Sequence, residues 1–249
     1  MSPWTAAFDT SGPLGTVAAA PQGQRPGCRF LLTRGAHGSH LVPALEDVLA
    51  ERGGEPAALD RVVVGAGPGS FTGIRVAAAT ARGLVRGTGA HLYAFSSLAA
   101  AAVSERSVLP PHHELPAAFR DEWSGPGRTP DLREAVRYVL FDARADRLYA
   151  ACYRFLSGRI EELEAPEALT LDELLSRPLA ENVLFCGDGA HRHAEVLDNA
   201  GYRVLPFPAG LPTAEGLLRV HALDPEPRAE APDSRWEPDY LRPSQPERA

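Results

Sequence analysis

Asp9, Thr10 and Ser11 are the first side chains in the sequence with the chemistry to bind a ligand. A carboxylate and two hydroxyls in one turn could contact a phosphate group and its magnesium ion. The turn follows a short apolar segment and runs into Gly12-Pro13. A purely structural turn is therefore the favoured interpretation. A weak nucleotide contact is the alternative.

The histidines and cysteines do not form a metal-binding pattern. No histidine pair has the four-residue spacing that places two imidazoles on one helix face, and no carboxylate completes a set. The close pairs are His37 and His40, His112 and His113, and His191 and His193. The 3 cysteines are scattered without a Cys-x-x-Cys pair. We therefore expect no metal site, and surface or capping roles for the histidines.

A glycine-rich corner joins an apolar run at 62–66, which predicts a strand, to an alanine-rich run at 76–85, which predicts a helix. Either Ser70 or Thr72 is suited to cap that helix. The corner consists of Gly67, Pro68, Gly69, Ser70, Phe71, Thr72 and Gly73. It lacks the third glycine of a dinucleotide fingerprint and the lysine of a P-loop, since the chain contains no lysine. Ser70 also lacks the flanking glycines of a nucleophile elbow.

Composition restricts the class of protein. The 249 residues have a formal net charge of −7, and an acidic surface disfavours independent binding to a phosphate backbone. With 44% hydrophobic residues the chain can form a sizeable core. The N-terminus has no secretion signal and no apolar run is long enough to span a bilayer. We therefore expect a cytoplasmic protein with no membrane contact.

The order of predicted elements repeats along the chain. Three strands, then helix, strand, helix, strand and helix, are predicted at 5–9, 15–20, 28–33, 39–52, 62–66, 76–85, 91–94 and 96–104. The same order is predicted at 137–142, 148–155, 159–164, 170–175, 183–186, 190–199, near 204 and at 214–223. Two βββαβαβα modules indicate an α/β fold of the actin-like class shared with Hsp70 and sugar kinases.

The predicted organisation has four parts. An N-terminal subdomain (1–104) contains the glycine corner, and a C-terminal subdomain (137–232) repeats its element order. Between them a proline-rich insertion at 105–136 contains at most one short helix, near 117–123. The tail at 233–249 either docks through Tyr240 and Leu241 or is disordered.

Five blocks in order along the chain resemble the TsaB family, also called YeaZ. The longest is the segment 64–75 around the glycine corner. The others are Phe8-Asp9-Thr10-Ser11, Phe141-Asp142-Ala143-Arg144 leading to Tyr149, Gly187-Asp188-Gly189-Ala190, and Tyr240-Leu241-Arg242. The resemblance covers nearly the whole chain outside the insertion.

The resemblance implies a function. TsaB-like proteins are subunits of the machinery that makes N6-threonylcarbamoyladenosine (t6A) in tRNA. Their paralogue TsaD transfers the threonylcarbamoyl group, and the ATPase TsaE joins the complex. Nucleotide and metal are then expected on the partner subunits and none on the isolated chain. The chain is expected to form a heterodimer with TsaD, a homodimer when alone, and to contact tRNA only through the complex.

The resemblance also implies that this chain lacks the metal-binding site of its catalytic paralogue. The catalytic paralogue has a His-x-x-x-His metal motif on the helix that follows the strand after its glycine corner. In the same register this chain has Ser97 and Ala101, which cannot hold a metal together. A non-catalytic subunit is therefore expected. The alternatives are an independent actin-like ATP-binding enzyme or metallopeptidase-like protein, and a tRNA-binding module.

A partner surface is predicted on the helices at 39–52 and 76–85, where apolar and small residues allow a second helix to approach. The predicted contacts are Leu41, Leu45, Val48, Ile74, Arg75, Ala78, Ala81 and Arg82. Glutamates at Ala78 and Ala81 are expected to abolish association and leave the fold intact. Homodimer and heterodimer would compete for this one surface.

Overall fold

The computed structural model describes residues 3–32, 37–104, 136–156, 158–231, 236–238 and 240–241. The first half contains β1 (Trp4–Asp9), β2 (Gly15–Pro21), β3 (Gly27–Leu31), α1 (His37–Glu51), β4 (Leu59–Gly65), α2 (Phe71–Thr88), β5 (His91–Phe95) and α3 (Ser97–Val103). A 3-10 turn at Pro56–Ala58 precedes β4. Apart from Val136, the predicted insertion and its short helix lie outside the described residues.

The second half repeats the element types of the first. It contains β6 (Val136–Asp142), β7 (Leu148–Leu156), β8 (Arg159–Leu169), α4 (Leu171–Leu175), β9 (Leu184–Cys186), α5 (Asp188–Arg192), α6 (Ala194–Asn199), β10 (Arg203–Val204) and α7 (Ala214–Leu223). The predicted single helix at 190–199 is wrong. His193, with φ −110° and ψ 20°, interrupts it between α5 and α6.

The two sheets have the same topology. Their strand orders are β3-β2-β1-β4-β5 and β8-β7-β6-β9-β10. In each sheet the first three strands of the half are antiparallel, and the first strand then pairs in parallel with the fourth. The fourth pairs in parallel with the fifth. This shared order confirms the predicted duplicated, actin-like α/β fold.

Helix α2 begins five residues earlier than the sequence pattern predicted. The Ser70 hydroxyl accepts a hydrogen bond from the Gly73 N–H at 3.3 Å, so helical structure starts at Phe71. The helix ends at Gly89, which has a left-handed φ of 76°. No helix in the described parts of the chain is long and apolar enough to cross a membrane.

The two halves exchange a helix. Helix α3 follows the first sheet in sequence but packs against β6 and β7, whereas α7 packs against β1, β2, β4 and β5. The two helices cross closely at Gly216, where a methyl group would lie 2.3 Å from the Ala100 carbonyl oxygen. A buried hydrogen bond between the Thr213 and Ser104 hydroxyls, at 2.8 Å, reinforces the crossing, and the Ala214 N–H donates to Thr16 Oγ1 of β2 at 2.7 Å.

Candidate functional site

The Asp9 carboxylate is fully buried at the end of β1. Its Oδ1 accepts hydrogen bonds from the Ser11 N–H at 2.7 Å and the Ser11 hydroxyl at 2.6 Å. Its Oδ2 accepts one from the Ser97 hydroxyl at 2.7 Å, at the start of α3. Ser97 Oγ in turn accepts from the Gly67 N–H at 3.1 Å. The carboxylate therefore ties the first turn to the glycine corner and to α3.

The glycine corner packs directly on the β1–β2 turn. Ser70 N–H donates to the Ser11 carbonyl at 2.8 Å, and the Thr10 hydroxyl donates to the Gly73 carbonyl at 2.6 Å. A methyl group at Gly73 would lie 1.8 Å from the Thr10 carbonyl oxygen, so only glycine permits this approach. Here Asp9, Thr10 and Ser11 face the interior, which favours a structural turn over a nucleotide contact.

The two positions that the resemblance matches to the paired imidazoles are both inside the protein. Ser97 and Ala101 lie on α3 with no exposed surface, and Ala101 belongs to the core under the second sheet. Across the described residues, no group of three or more histidine, cysteine or acidic side chains is placed to hold a metal ion.

Six of the eight predicted partner contacts are buried within the chain. The apolar faces of α1 and α2 pack on the first sheet, so these side chains belong to the interior. They are Leu41, Leu45, Val48, Ile74, Ala78 and Ala81. Only Arg75 and Arg82 are exposed. The expectation that glutamates at Ala78 and Ala81 leave the fold intact is wrong, since Ala81 is 0% exposed and an unpaired buried charge is costly.

The solvent side of α2 is formed by other residues. We call Thr72, Ala79, Gly83 and Arg86 the outer ridge, because they are spaced by seven, four and three residues and share one exposed helix face. A methyl group at Gly83 would have no atom within 4 Å, so no neighbouring side chain covers the ridge at this position. Helix α1 borders the ridge on the side of Val76, which lies 3.7 Å from a methyl group built at Gly38.

The sequence left open whether the tail docks, and two of its described residues, Trp236 and Tyr240, contact the first half of the chain. Glu230 N–H donates to the Leu92 carbonyl at 2.8 Å, on the edge strand β5. Trp236 then packs on the first core, and its carbonyl accepts a hydrogen bond from Arg82. The Tyr240 ring reaches Phe71 at the start of α2, with 5.4 Å between centroids. Sequence reasoning missed Trp236, because nothing local indicates a contact 154 residues away.

The second half has a turn equivalent to the one at Asp9. Asp142 also ends the first strand of its half, and its Oδ1 accepts from the N–H two residues later, Arg144, at 2.9 Å. Its Oδ2 pairs with Arg192 at 2.8 Å. Asp188 Oδ1 accepts from the Gly189 N–H at 3.0 Å and from the Asp142 N–H at 3.3 Å. Burial, with the nearby Asp142 charge, raises the pKa of the Asp188 carboxyl from 3.8 to about 6.

We expect Asp188→Asn to stabilise the protein by about 1–2 kcal/mol more at pH 7.5 than at pH 4.5. The folded-state pKa is raised, so the contribution of this carboxyl to stability is full below its unfolded pKa. That contribution is lost as the pH rises through about 6. Urea unfolding at the two pH values measures the difference. Asp198→Asn, at an exposed carboxylate of α6, is the control and should show no comparable change.

Two five-stranded sheets of identical order, each with helices, place this protein in the actin-like class of α/β proteins. Residues 31–119 match a family model described as "TsaD: tRNA N6-adenosine threonylcarbamoyltransferase". Two curated relatives are each described as "tRNA threonylcarbamoyladenosine biosynthesis protein TsaB". The one from Haemophilus influenzae is 35% identical over 39% of this chain and 40% of its own length. The one from Bacillus subtilis is 24% identical over 66% of this chain and 61% of its own length.

Two solved structures extend the comparison to nearly the whole chain. A Pseudomonas aeruginosa protein described as similar to peptidase YEAZ superposes with a TM-score of 0.71 at 26% identity, covering 97% of this chain and 100% of that one. YeaZ from Pseudomonas aeruginosa gives a TM-score of 0.65 at 25% identity, covering 88% and 90%. These similarities support assignment of the chain to the TsaB/YeaZ family. Its matches to the two curated relatives span less than two thirds of their lengths.

Proposed function

We propose that this protein is the non-catalytic TsaB-type subunit of the t6A synthesis machinery, and that it binds and activates the TsaD transferase, with TsaE joining the complex. The observation that supports the proposal is the burial of the Asp9 carboxylate against the glycine corner. The Asp9 carboxylate is buried and hydrogen-bonded to Ser11 and Ser97, where an actin-like enzyme would need it to face a ligand. A chain with this arrangement acts by docking, and the chemistry, nucleotide and metal belong to its partners.

The proposed docking surface is the outer ridge of α2 together with the exposed side of α1. Small side chains at Ala79 and Gly83 allow a partner helix to approach closely, and Val42 on α1 is 38% exposed. Both helices lie within the segment 31–119 that matches the TsaD family model. A partner with the same fold would present the same helix pair, and two such pairs pack about a pseudo-twofold axis. Without TsaD, two copies of this chain would use the same surface.

The test is binding to purified TsaD from the same organism and t6A formation on a tRNA transcript. We expect Ala79→Glu to weaken the association at least tenfold, because a methylene group and a carboxylate would be added to the ridge. Arg75 and Arg82 lie within one turn of this position, so the glutamate is compatible with the folded helix. Ala200→Glu, at an exposed alanine beyond α6, is the matched control and should bind normally.

Two results would contradict the proposal. One is normal binding of TsaD by Ala79→Glu, which would place the contact elsewhere. The other is t6A formation by the isolated chain with ATP, or stoichiometric binding of a metal ion to it. Either t6A formation or metal binding by the isolated chain would favour the alternative of an independent actin-like enzyme.

A further inference from the structure

We infer that the C-terminal segment, described at residues 236–238 and 240–241, forms one side of the partner surface, with Tyr240 as its anchor. The inference rests on the proposed function, because it takes TsaD as the occupant of the α2 ridge. It adds an element that comes from the far end of the sequence.

The segment runs along one flank of α2. Trp236 lies beside Arg82 and Tyr240 beside Phe71, so these two residues follow the helix in the antiparallel direction, from its C-terminal half to its first residue. Phe71, Arg75 and Arg82 share this flank, because residues separated by four and by eleven positions lie on one side of a helix. Val76 and α1 lie on the opposite flank. The outer ridge therefore lies between α1 on one side and the C-terminal segment on the other.

The side chains of the C-terminal segment and of the α2 flank beside it are suited to a protein–protein interface. The Arg75 guanidinium carbon lies 3.8 Å from the centroid of the Phe71 ring, which also contacts the Tyr240 ring. Tyrosine and arginine, with tryptophan, are enriched among the residues that dominate binding energy. Three large hydrophobic side chains are exposed among the described residues, Val42, Val196 and Tyr240. Two of them lie on the elements that flank the ridge, Val42 on α1 and Tyr240 next to Phe71 at the start of α2.

The charge of α2 indicates the chemistry of the partner. The helix contains Arg75, Arg82 and Arg86 and no acidic residue, although the whole chain has a formal charge of −7. Arg82 donates a hydrogen bond to the Trp236 carbonyl of the segment, and Arg75 stacks on the Phe71 ring of α2 itself, so both guanidinium groups have a defined contact. A partner helix with carboxylates facing this flank would meet prepositioned guanidinium groups.

The test compares variants of the full chain for binding to purified TsaD by titration calorimetry. Tyr240→Ala is expected to weaken binding about tenfold, since it removes an interface aromatic side chain. Tyr240→Phe keeps the ring and should bind within about twofold of the wild type. Val196→Ala truncates the exposed apolar side chain that lies away from the ridge and should bind normally. Thermal melting of all three variants shows that the fold is retained, because each substituted side chain is more than a third exposed.

The inference and the proposed function fail separately. Wild-type or tighter binding by Tyr240→Ala, with binding lost in Ala79→Glu, would overturn the role of the segment and leave the ridge as the docking surface. Normal binding by Ala79→Glu would overturn the proposed surface and, with it, this inference. Weaker binding by Tyr240→Ala alongside normal binding by Val196→Ala supports the inference.

Discussion

Replacing Gly73 with alanine is expected to lower the free energy of unfolding by about 3 kcal/mol or more. The new methyl group would lie 1.8 Å from the Thr10 carbonyl oxygen and 2.8 Å from its carbonyl carbon. That carbonyl cannot move away easily. The turn is tied to the corner by the Ser70–Ser11 and Thr10–Gly73 hydrogen bonds, and Asp9 fixes it to α3.

The matched control lies on the same helix. Gly83→Ala places a methyl group where no atom lies within 4 Å, in an exposed helix interior where alanine is favoured over glycine. It should raise stability by up to about 1 kcal/mol. Urea unfolding of both variants gives the comparison. A decrease in the free energy of unfolding below about 1 kcal/mol for Gly73→Ala would mean that the corner can shift to accommodate the methyl group, which would contradict the prediction.

A second large effect is expected where the two halves cross. Gly216→Ala places a methyl group 2.3 Å from the Ala100 carbonyl oxygen and 2.7 Å from the Ser104 hydroxyl. To accept it, α7 must move away from α3, which separates the Thr213–Ser104 hydroxyl pair. We expect a loss of about 3 kcal/mol, because both the overpacking and a broken buried hydrogen bond contribute.

The readout for this variant is thermal and urea unfolding, with Gly87→Ala on α2 as the glycine-to-alanine control in open space. Because α7 covers the first sheet and α3 the second, loosening their crossing weakens both cores together. An unchanged midpoint for Gly216→Ala would show that the helices have room to separate.

The fold was predictable because its signals are local. Alternating apolar runs, the glycine corner and the repeated element order are each read from neighbouring residues, and the two identical sheet orders confirm them. The sequence offered Ser70 or Thr72 as the helix cap; the structure has Ser70, and the helix start was predicted too late. Capping by a serine hydroxyl decides the first turn regardless of how apolar that turn is.

The partner surface was not predictable to the residue. Ala78, Ala79 and Ala81 are the same residue type, so composition does not distinguish the face that packs on the sheet from the face that meets solvent. On α1 the apolar stripe with Leu41 and Leu45 suits either a sheet or a partner helix. The structure assigns both to the chain's own core and leaves Val42 outside. The role inferred for Tyr240 rests on a contact with Phe71, which lies far away in the sequence.

The exchange of helices has a consequence for how a nascent chain acquires this fold. Strands β1 to β5 leave the ribosome early, but the face that α7 covers stays open until residues 214–223 have been synthesised. Because α7 is synthesised so late, the N-terminal half cannot complete its core as a separate unit during translation. The apolar residues Ala7, Ala18 and Val63, which pack with Leu217, are therefore the part of the growing polypeptide most in need of protection by a chaperone.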